Sequence, residues 1–385
     1  MSPEKNFTNA TLILPDRVIQ GSFKVENGII TVIDEDTMSL SGSTDCGQDF
    51  ILPGLIEIHT DNLEKYVVPR PGIYWPSPLA AIIAHDNQIF SSGITTVLDA
   101  ISVGFSDTHE ARTKILDTSI SVVKHAQALE LLKADHFLHL RCELPSSSVY
   151  DSFATYVHDP LIRLVSVMDH TPGQRQWRDL PKWRTFNEDR KWTDKEAQAV
   201  MDHRCKLQEE YSTRNRLNIL KICKTLDIPV ASHDDTTVEH CHEAWKSGIT
   251  ISEFPTTIEA ARTAKQLGMN TIMGAPNMVR GESHSGNVSA CELAEADILD
   301  GLSSDYMPIS LLHAAFEINT QLQIPLPDTI AKVTANIAKM TRLEDRGELV
   351  VGKKADFIRV RLIDRFPVIL SVWKDGEKVL DNTSS

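Results

Sequence analysis

Long apolar runs are missing from this 385-residue chain. The longest candidate, Leu79–Ala84, falls far short of the roughly 18 residues a membrane-spanning helix needs, so a membrane protein is not expected. The stretch Met1 to Ala10 lacks the basic-then-apolar plan of a secretory signal. Cysteine is sparse: Cys46, Cys142, Cys205, Cys223, Cys241 and Cys291 are scattered with no Cys-x-x-Cys pair. Neither a disulfide framework nor a cysteine zinc site is expected, and the expected compartment is the cytoplasm. Positive charge is in deficit, 39 Lys and Arg against 53 Asp and Glu, for a net charge of −14. That balance disfavours nucleic-acid binding, although bound divalent metals and a few arginines can still set the potential inside a pocket. Gly42, Gly47 and Gly54 are followed by no Gly-Lys-Ser/Thr, so no phosphate-cradling P-loop is present. What remains is ordinary globular material, 41% hydrophobic and 24% charged, long enough for two domains or one barrel with an attachment.

Residues 11 to 34 and 347 to 385 read as short strands broken by turn signals such as Pro15-Asp16 and Asn27-Gly28. Both ends therefore read as parts of one small β-sandwich domain, residues 1–52 and 345–385. Between them, residues 53–344 alternate apolar strands with amphipathic helices, the signature of parallel βα units. Eight strands are predicted: Leu55–His59, Ile94–Asp99, Phe137–Glu143, Ile162–His170, Ile228–His233, Thr250–Phe254, Asn270–Ala275 and Ile298–Asp305. Eight such units predict a TIM-type (β/α)8 barrel, which gathers the C-terminal strand ends around one mouth. Those ends carry His59, Asp61, Asp99, Glu143, His170, His233 and Asp305. Residues 171–227 are too long for a simple crossover, and the run "GQRQWRDLPKWRTFNEDRKW" followed by a helical segment predicts a lid.

In "LPGLIEIHTDN", His59 and Asp61 stand two apart on a strand and can aim at one metal. Alone, such a pair is as readily ordinary strand-end polarity. Glu143, His170, His233 and Asp305, each directly after an apolar run, extend it to six mixed N and O donors, a set that suits two divalent ions sharing a carboxylate. Zinc leads that expectation, with manganese or iron open. Asp169, Asp234 and Asp235 either orient the neighbouring imidazoles or face solvent. His109, His125, His136, His139 and His158 read as surface or satisfied core residues.

The segments "ILPGLIEIHTD" and "RGELVVGKKADFIRV" make the chain resemble the amidohydrolase superfamily, a metal-dependent barrel flanked by a small β domain from both chain ends. The superfamily's first-strand motif carries two histidines, where Asp61 stands second here. Its bridging carboxylated lysine has no counterpart, and Glu143 takes that place. Over nearly the whole length, "HTDNLEKYVVPRPGIYWP", "HLRCEL", "VSVMDHTPGQRQWRD", "ASHDDTT", "EFPTT", "GAPNMVRGESHSGNVSACELA" and "LSSDYMP" resemble one branch. It is the alpha-D-ribose 1-methylphosphonate 5-triphosphate diphosphatases of phosphonate catabolism. The resemblance implies hydrolysis of a phosphoric anhydride in a phosphorylated sugar, release of diphosphate, and a homo-oligomer. An amidohydrolase acting on a C–N bond with the same metal chemistry is the alternative, and an inactive scaffold is a further one.

A triphosphate needs cationic and N–H donors. Arg175 in "TPGQRQ" and Arg280 in "NMVRGESHSGN" lie just beyond strand ends, where a guanidinium could clamp phosphoryl oxygens. Gly286 and Asn287 precede a predicted helix whose free N–H groups could face the mouth, unless Asn287 only caps it. His284 could donate a proton to the leaving group or be a solvated loop residue, and Lys65 is a further phosphate contact. Asp305 is expected to take the proton of the attacking water.

Overall fold

The computed structural model describes residues 4–35, 42–104, 109–283 and 286–383. The first strands are β1 (Lys5–Ile13), β2 (Val18–Glu26), β3 (Ile29–Asp34), β4 (Thr44–Asp45) and β5 (Phe50–Pro53). They are completed from the far end of the chain by β14 (Phe357–Ile363), β15 (Phe366–Lys374) and β16 (Glu377–Asp381). Where a sandwich of sheets was expected, these strands form one continuous sheet in the order β16-β15-β14-β5-β1-β2-β3, with β4 beside β1. Phe23 on β2 nevertheless meets Phe357 on β14 edge-on, with ring centroids 5.0 Å apart. Strands three places apart in a flat sheet would be separated by about 14 Å, so the sheet curls around its aromatic core. Phe7 and Trp373 complete that cluster.

The middle of the chain gives β6 (Leu55–Thr60), β7 (Ile94–Val103), β8 (Asp135–Glu143), β9 (Ile162–Met168), β10 (Val230–His233), β11 (Ile251–Glu253), β12 (Asn270–Gly274) and β13 (Gly301–Ser303). All eight expected strands are present, parallel and paired in chain order. Ile56, Leu98, Leu164, Ala231, Ile251 and Ile272 from six of these strands form one buried cluster with Ile337 of the helix Ala335–Met340.

No ladder joins β13 to β6. Near the base of that seam, Ile56 N–H donates to the Val333 carbonyl and Leu302 N–H to the Lys332 carbonyl, so the segment at 332–333 fills the gap. Higher up, the Glu57 carboxylate accepts the N–H of His59 on β6 at 2.7 Å and the N–H of Ser304 after β13 at 2.6 Å. The Thr60 hydroxyl donates to the Asp305 carbonyl at 2.7 Å.

Asp99, expected at a strand end, lies in mid-strand because β7 continues to Val103. Its two oxygens accept from His85 and His136, each at 2.7 Å, and all three side chains are fully buried. Burial alone would lower the His136 imidazole, but Asp99 and Asp86 outweigh it and raise it to about 9. Because the folded value lies above the ordinary one, this charge stabilises the fold below about pH 6.5 and is lost as the pH rises through about 9. The thermal midpoint should therefore fall across that window. In Asp99→Asn the midpoint should start lower at pH 6.5 and fall less, and parallel curves would refute this account.

Candidate active site

Two glutamates fix the histidines at the barrel mouth. Glu253, the last residue of β11, reaches across to accept from His59 Nδ1 through one oxygen and from His233 Nδ1 through the other, both at 2.7 Å. Burial would raise its pKa, but His59 and His139 outweigh that and the carboxylate stays ionised, its pKa well below the ordinary value. Glu143, ending β8, takes His170 Nδ1 at 2.6 Å and the His170 N–H at 2.9 Å. Burial opposes its ionisation too, and His170 more than offsets that, holding it at about 2. With Nδ1 engaged in all three rings, Nε2 is the nitrogen left for a ligand.

Asp234 meets those free nitrogens: its Oδ2 lies 3.7 Å from both His170 Nε2 and His233 Nε2. That oxygen is buried and has no hydrogen-bond partner. Two imidazole nitrogens and an orphaned carboxylate oxygen facing one point are a donor set that fits a divalent cation. Asp61 and Asp305 line the same cavity beside His59. Burial would raise Asp61, but Arg141 and Lys65 outweigh it, whereas burial and the nearby Asp61 carry Asp305 above its ordinary value. Asp234 and Asp305 both adopt left-handed backbone, φ +56° and +53°, just past β10 and β13. Such strained turns at non-glycine residues re-aim a side chain toward the mouth.

The cavity measures about 750 Å³ and is covered by the segment between β9 and β10. There the helix Leu180–Phe186 precedes the long helix Asp194–Leu226, which opens on a Thr193–Glu196 capping box. Trp177, Trp183, Ala197 and Met201 bury each other beneath this cover. The Asn215 amide anchors it by donating to the Leu144 and Ser146 carbonyls, both at 2.9 Å, just beyond Glu143. Arg141, Arg190, Arg204 and Arg280 all line the cavity.

His59, Asp61, Glu143, His170, His233 and Asp305 are thus brought together, as are Arg280 and Asn287. Arg175 is not among the lining residues. Its guanidinium turns inward to Asp235 at 2.7 Å and the His233 carbonyl at 2.8 Å, so it is a strut beneath β10 and not a phosphate clamp. Lys65 is likewise spent, on Asp61 Oδ1 at 2.7 Å. The expected helix N-terminus is closed to anions, because Ser289 and Glu292 cap the short helix Ala290–Glu295 and Ala290 N–H donates to Asn277. His284 lies outside the described residues. His139, read as a satisfied residue, bonds through both ring nitrogens, to the Ile58 carbonyl and Ser166.

Glu57, Arg141, Arg204 and Glu253 were missed. A period-two reading of Glu57-x-His59-x-Asp61 and Arg141-x-Glu143 could have found two of them, and Glu253 opens the quoted "EFPTT". Asp234, expected to orient an imidazole or to face solvent, instead turns a buried oxygen toward two imidazole nitrogens.

An eight-stranded parallel barrel carrying histidines and carboxylates at one mouth, with a sheet from both chain ends, defines the amidohydrolase fold. Solved structures agree. A 5-methylcytosine deaminase from Klebsiella pneumoniae liganded with 5-fluorocytosine aligns with a TM-score of 0.66 at 14% identity, over 99% of this chain and 98% of that one. An N-acetylglucosamine-6-phosphate deacetylase from Pasteurella multocida gives 0.62 at 12% identity, over 98% and 99%. No family model matches the chain. Among curated proteins, the alpha-D-ribose 1-methylphosphonate 5-triphosphate diphosphatase of Escherichia coli (strain K12) is 41% identical over 374 residues, covering 96% of this chain and 99% of the relative. The chain belongs to that diphosphatase family.

Replacing Glu253 by Gln would set a neutral amide against two imidazoles that it now aligns. Divalent-ion affinity, read by competition with a chromophoric chelator, should fall roughly 10- to 100-fold. Unchanged affinity would show that His59 and His233 hold their orientation without it.

Proposed function

We propose that this chain hydrolyses alpha-D-ribose 1-methylphosphonate 5-triphosphate to the 5-phosphate and diphosphate. The observation that carries this reading is the identity, over almost the full length, to a relative named for that reaction. The cavity chemistry agrees with it, since imidazoles and carboxylates sit deep and arginines line the cover. Two divalent ions, zinc first and manganese or iron as alternatives, would be held by His59, Asp61, Glu143, His170, His233 and Asp305. Asp234 joins this set on the strength of its orphaned oxygen. Glu143 can bridge only by sharing oxygens that His170 now occupies. Ions bound there would supply Lewis acidity and make a bound water acidic near neutral pH.

The protein's own groups divide the remaining work. Asp305, the more basic of the adjacent pair, is assigned the water's proton, while Asp61 stays ionised beside Arg141 and Lys65. Arg280, half exposed and 3.8 Å from Glu282, lies toward the rim with the lid residues Arg190 and Arg204. A triphosphate entering with its sugar-linked phosphorus at the imidazoles would extend its two terminal phosphoryls toward those guanidiniums, with Asn287 alongside. Water would then attack the α phosphorus, and the α–β bridging oxygen would leave with the diphosphate.

Elemental analysis of protein purified without chelator should find two divalent ions per chain. A metal-free active preparation would overturn the ligand assignment, and a single ion would remove the paired arrangement. Phosphorus NMR and mass spectrometry of products formed in oxygen-18 water should give diphosphate without label and a labelled sugar 5-phosphate. Label in the diphosphate would mean attack at the β phosphorus, and orthophosphate as the first product would refute the reaction itself.

A further inference from the structure

Arg141 projects from β8 two residues before Glu143, on the same side of the strand as His139 and Glu143, and lines the cavity. It interacts electrostatically with Asp61, Asp305 and His170, which puts its charge among the groups at the cavity floor. Despite that company it pairs with no carboxylate within salt-bridge distance among the described residues, and its buried Nε has no hydrogen-bond partner. Two other largely buried arginines of the chain differ. Arg175 is neutralised by Asp235, and Arg346 is held by Asp135 and Asp345. A half-buried guanidinium is costly to desolvate, and the protein normally meets that cost with an acid. Arg141 lines the cavity, so an anion that enters the cavity can supply the missing partner.

We propose that Arg141 is a catalytic residue whose guanidinium binds a non-bridging oxygen of the phosphoryl group under attack. This role rests on the triphosphate reading given above. Depth selects the phosphoryl group. Arg141 belongs to a barrel strand at the level of the imidazoles, whereas Arg190 and Arg204 belong to the cover and Arg280 to the rim. The sugar-linked α phosphorus therefore meets Arg141, and the terminal pair meets the others. As the water oxygen bonds to phosphorus and the bridging oxygen departs with its electron pair, the water's proton passes to Asp305. Arg141 transfers no proton and carries the charge that shifts on the phosphoryl oxygens. That contact strengthens as charge builds on the phosphoryl oxygens, which makes the stabilisation larger in the transition state than in the ground state. A lysine at this position would supply charge without the fork of planar donors.

The test compares wild type, Arg141→Lys and Arg141→Ala on the triphosphate, following diphosphate release, with bound metal measured in each. In Arg141→Ala, kcat should fall about 100-fold or more while KM changes by less than about threefold. Arg141→Lys should recover part of the loss, and millimolar guanidinium should raise the activity of Arg141→Ala and leave that of wild type unchanged. Metal content should match wild type in both variants, and circular dichroism should be unchanged. A kcat within about twofold of wild type would overturn the proposal. So would loss of bound metal in step with activity, which would make Arg141 a counter-charge for the ligand carboxylates. An inactive wild type would fail the triphosphate reading itself, a result distinct from an active wild type with an active Arg141→Ala.

Discussion

The Glu57 carboxylate is the bond on which the site's geometry turns. A barrel needs its first and last strands to meet, and here no backbone ladder makes that junction at β13 and β6. One oxygen of Glu57 holds the His59 N–H and the other holds the Ser304 N–H, so one buried carboxylate spans the seam, with the Thr60 hydroxyl beside it on the Asp305 carbonyl. Burial pushes this carboxyl up to about 7, partly offset by the donors from Ser304 and His59. The two residues it positions are the neighbours of opposite halves of the candidate ligand set. His59 is one donor, and Asp305 directly follows Ser304. Their spacing is thus set by side-chain bonds across the seam, Glu57 first, and not by a backbone ladder.

A second layer of carboxylates works outward from there. Glu253 ties β6 to β10 by gripping both of their imidazoles, and Glu143 ties β8 to the segment after β9 through His170. Each bond fixes a ring, and the one from Glu253 to His59 also joins β11 to β6, strands that are not adjacent in the sheet. The same acids that orient the ligands therefore brace the mouth, and Arg175 adds a strut from the lid segment to β10. Charges left over after this internal pairing are the ones available for chemistry, Asp234 and Arg141 foremost.

The architecture was legible because strand periodicity and strand-end polarity are local properties of the sequence. His59 and Asp61, two apart on one strand, illustrate how period two converts into convergence. The small sheet was harder: both halves were readable as strands, but their closure into one curled sheet depends on pairing between β5 and β14, some 300 residues apart. Arg175 was misread for a similar reason. Its partner Asp235 is 60 residues away, and nothing near an arginine in the sequence reveals whether a distant acid will claim it. The anion-binding helix start failed on a local detail, since "SACE" carries a Ser289–Glu292 capping box that fills the N-terminus from within.

Building one sheet from both chain ends has a consequence during synthesis. β5 pairs with β14 from Pro53 against Phe357 to Phe50 against Val360, so the N-terminal strands emerge from the ribosome long before their partner exists. At about 5 to 20 residues per second, the open edge of β5 waits on the order of 15 to 60 seconds while the whole barrel is translated. An unpaired strand edge is a template for illegitimate pairing, and this one carries Phe50, Ile51 and Leu52. The nascent chain therefore passes through a prolonged stage in which its flanking sheet cannot close. C-terminal truncation before β14 would leave the β5 edge permanently unpaired.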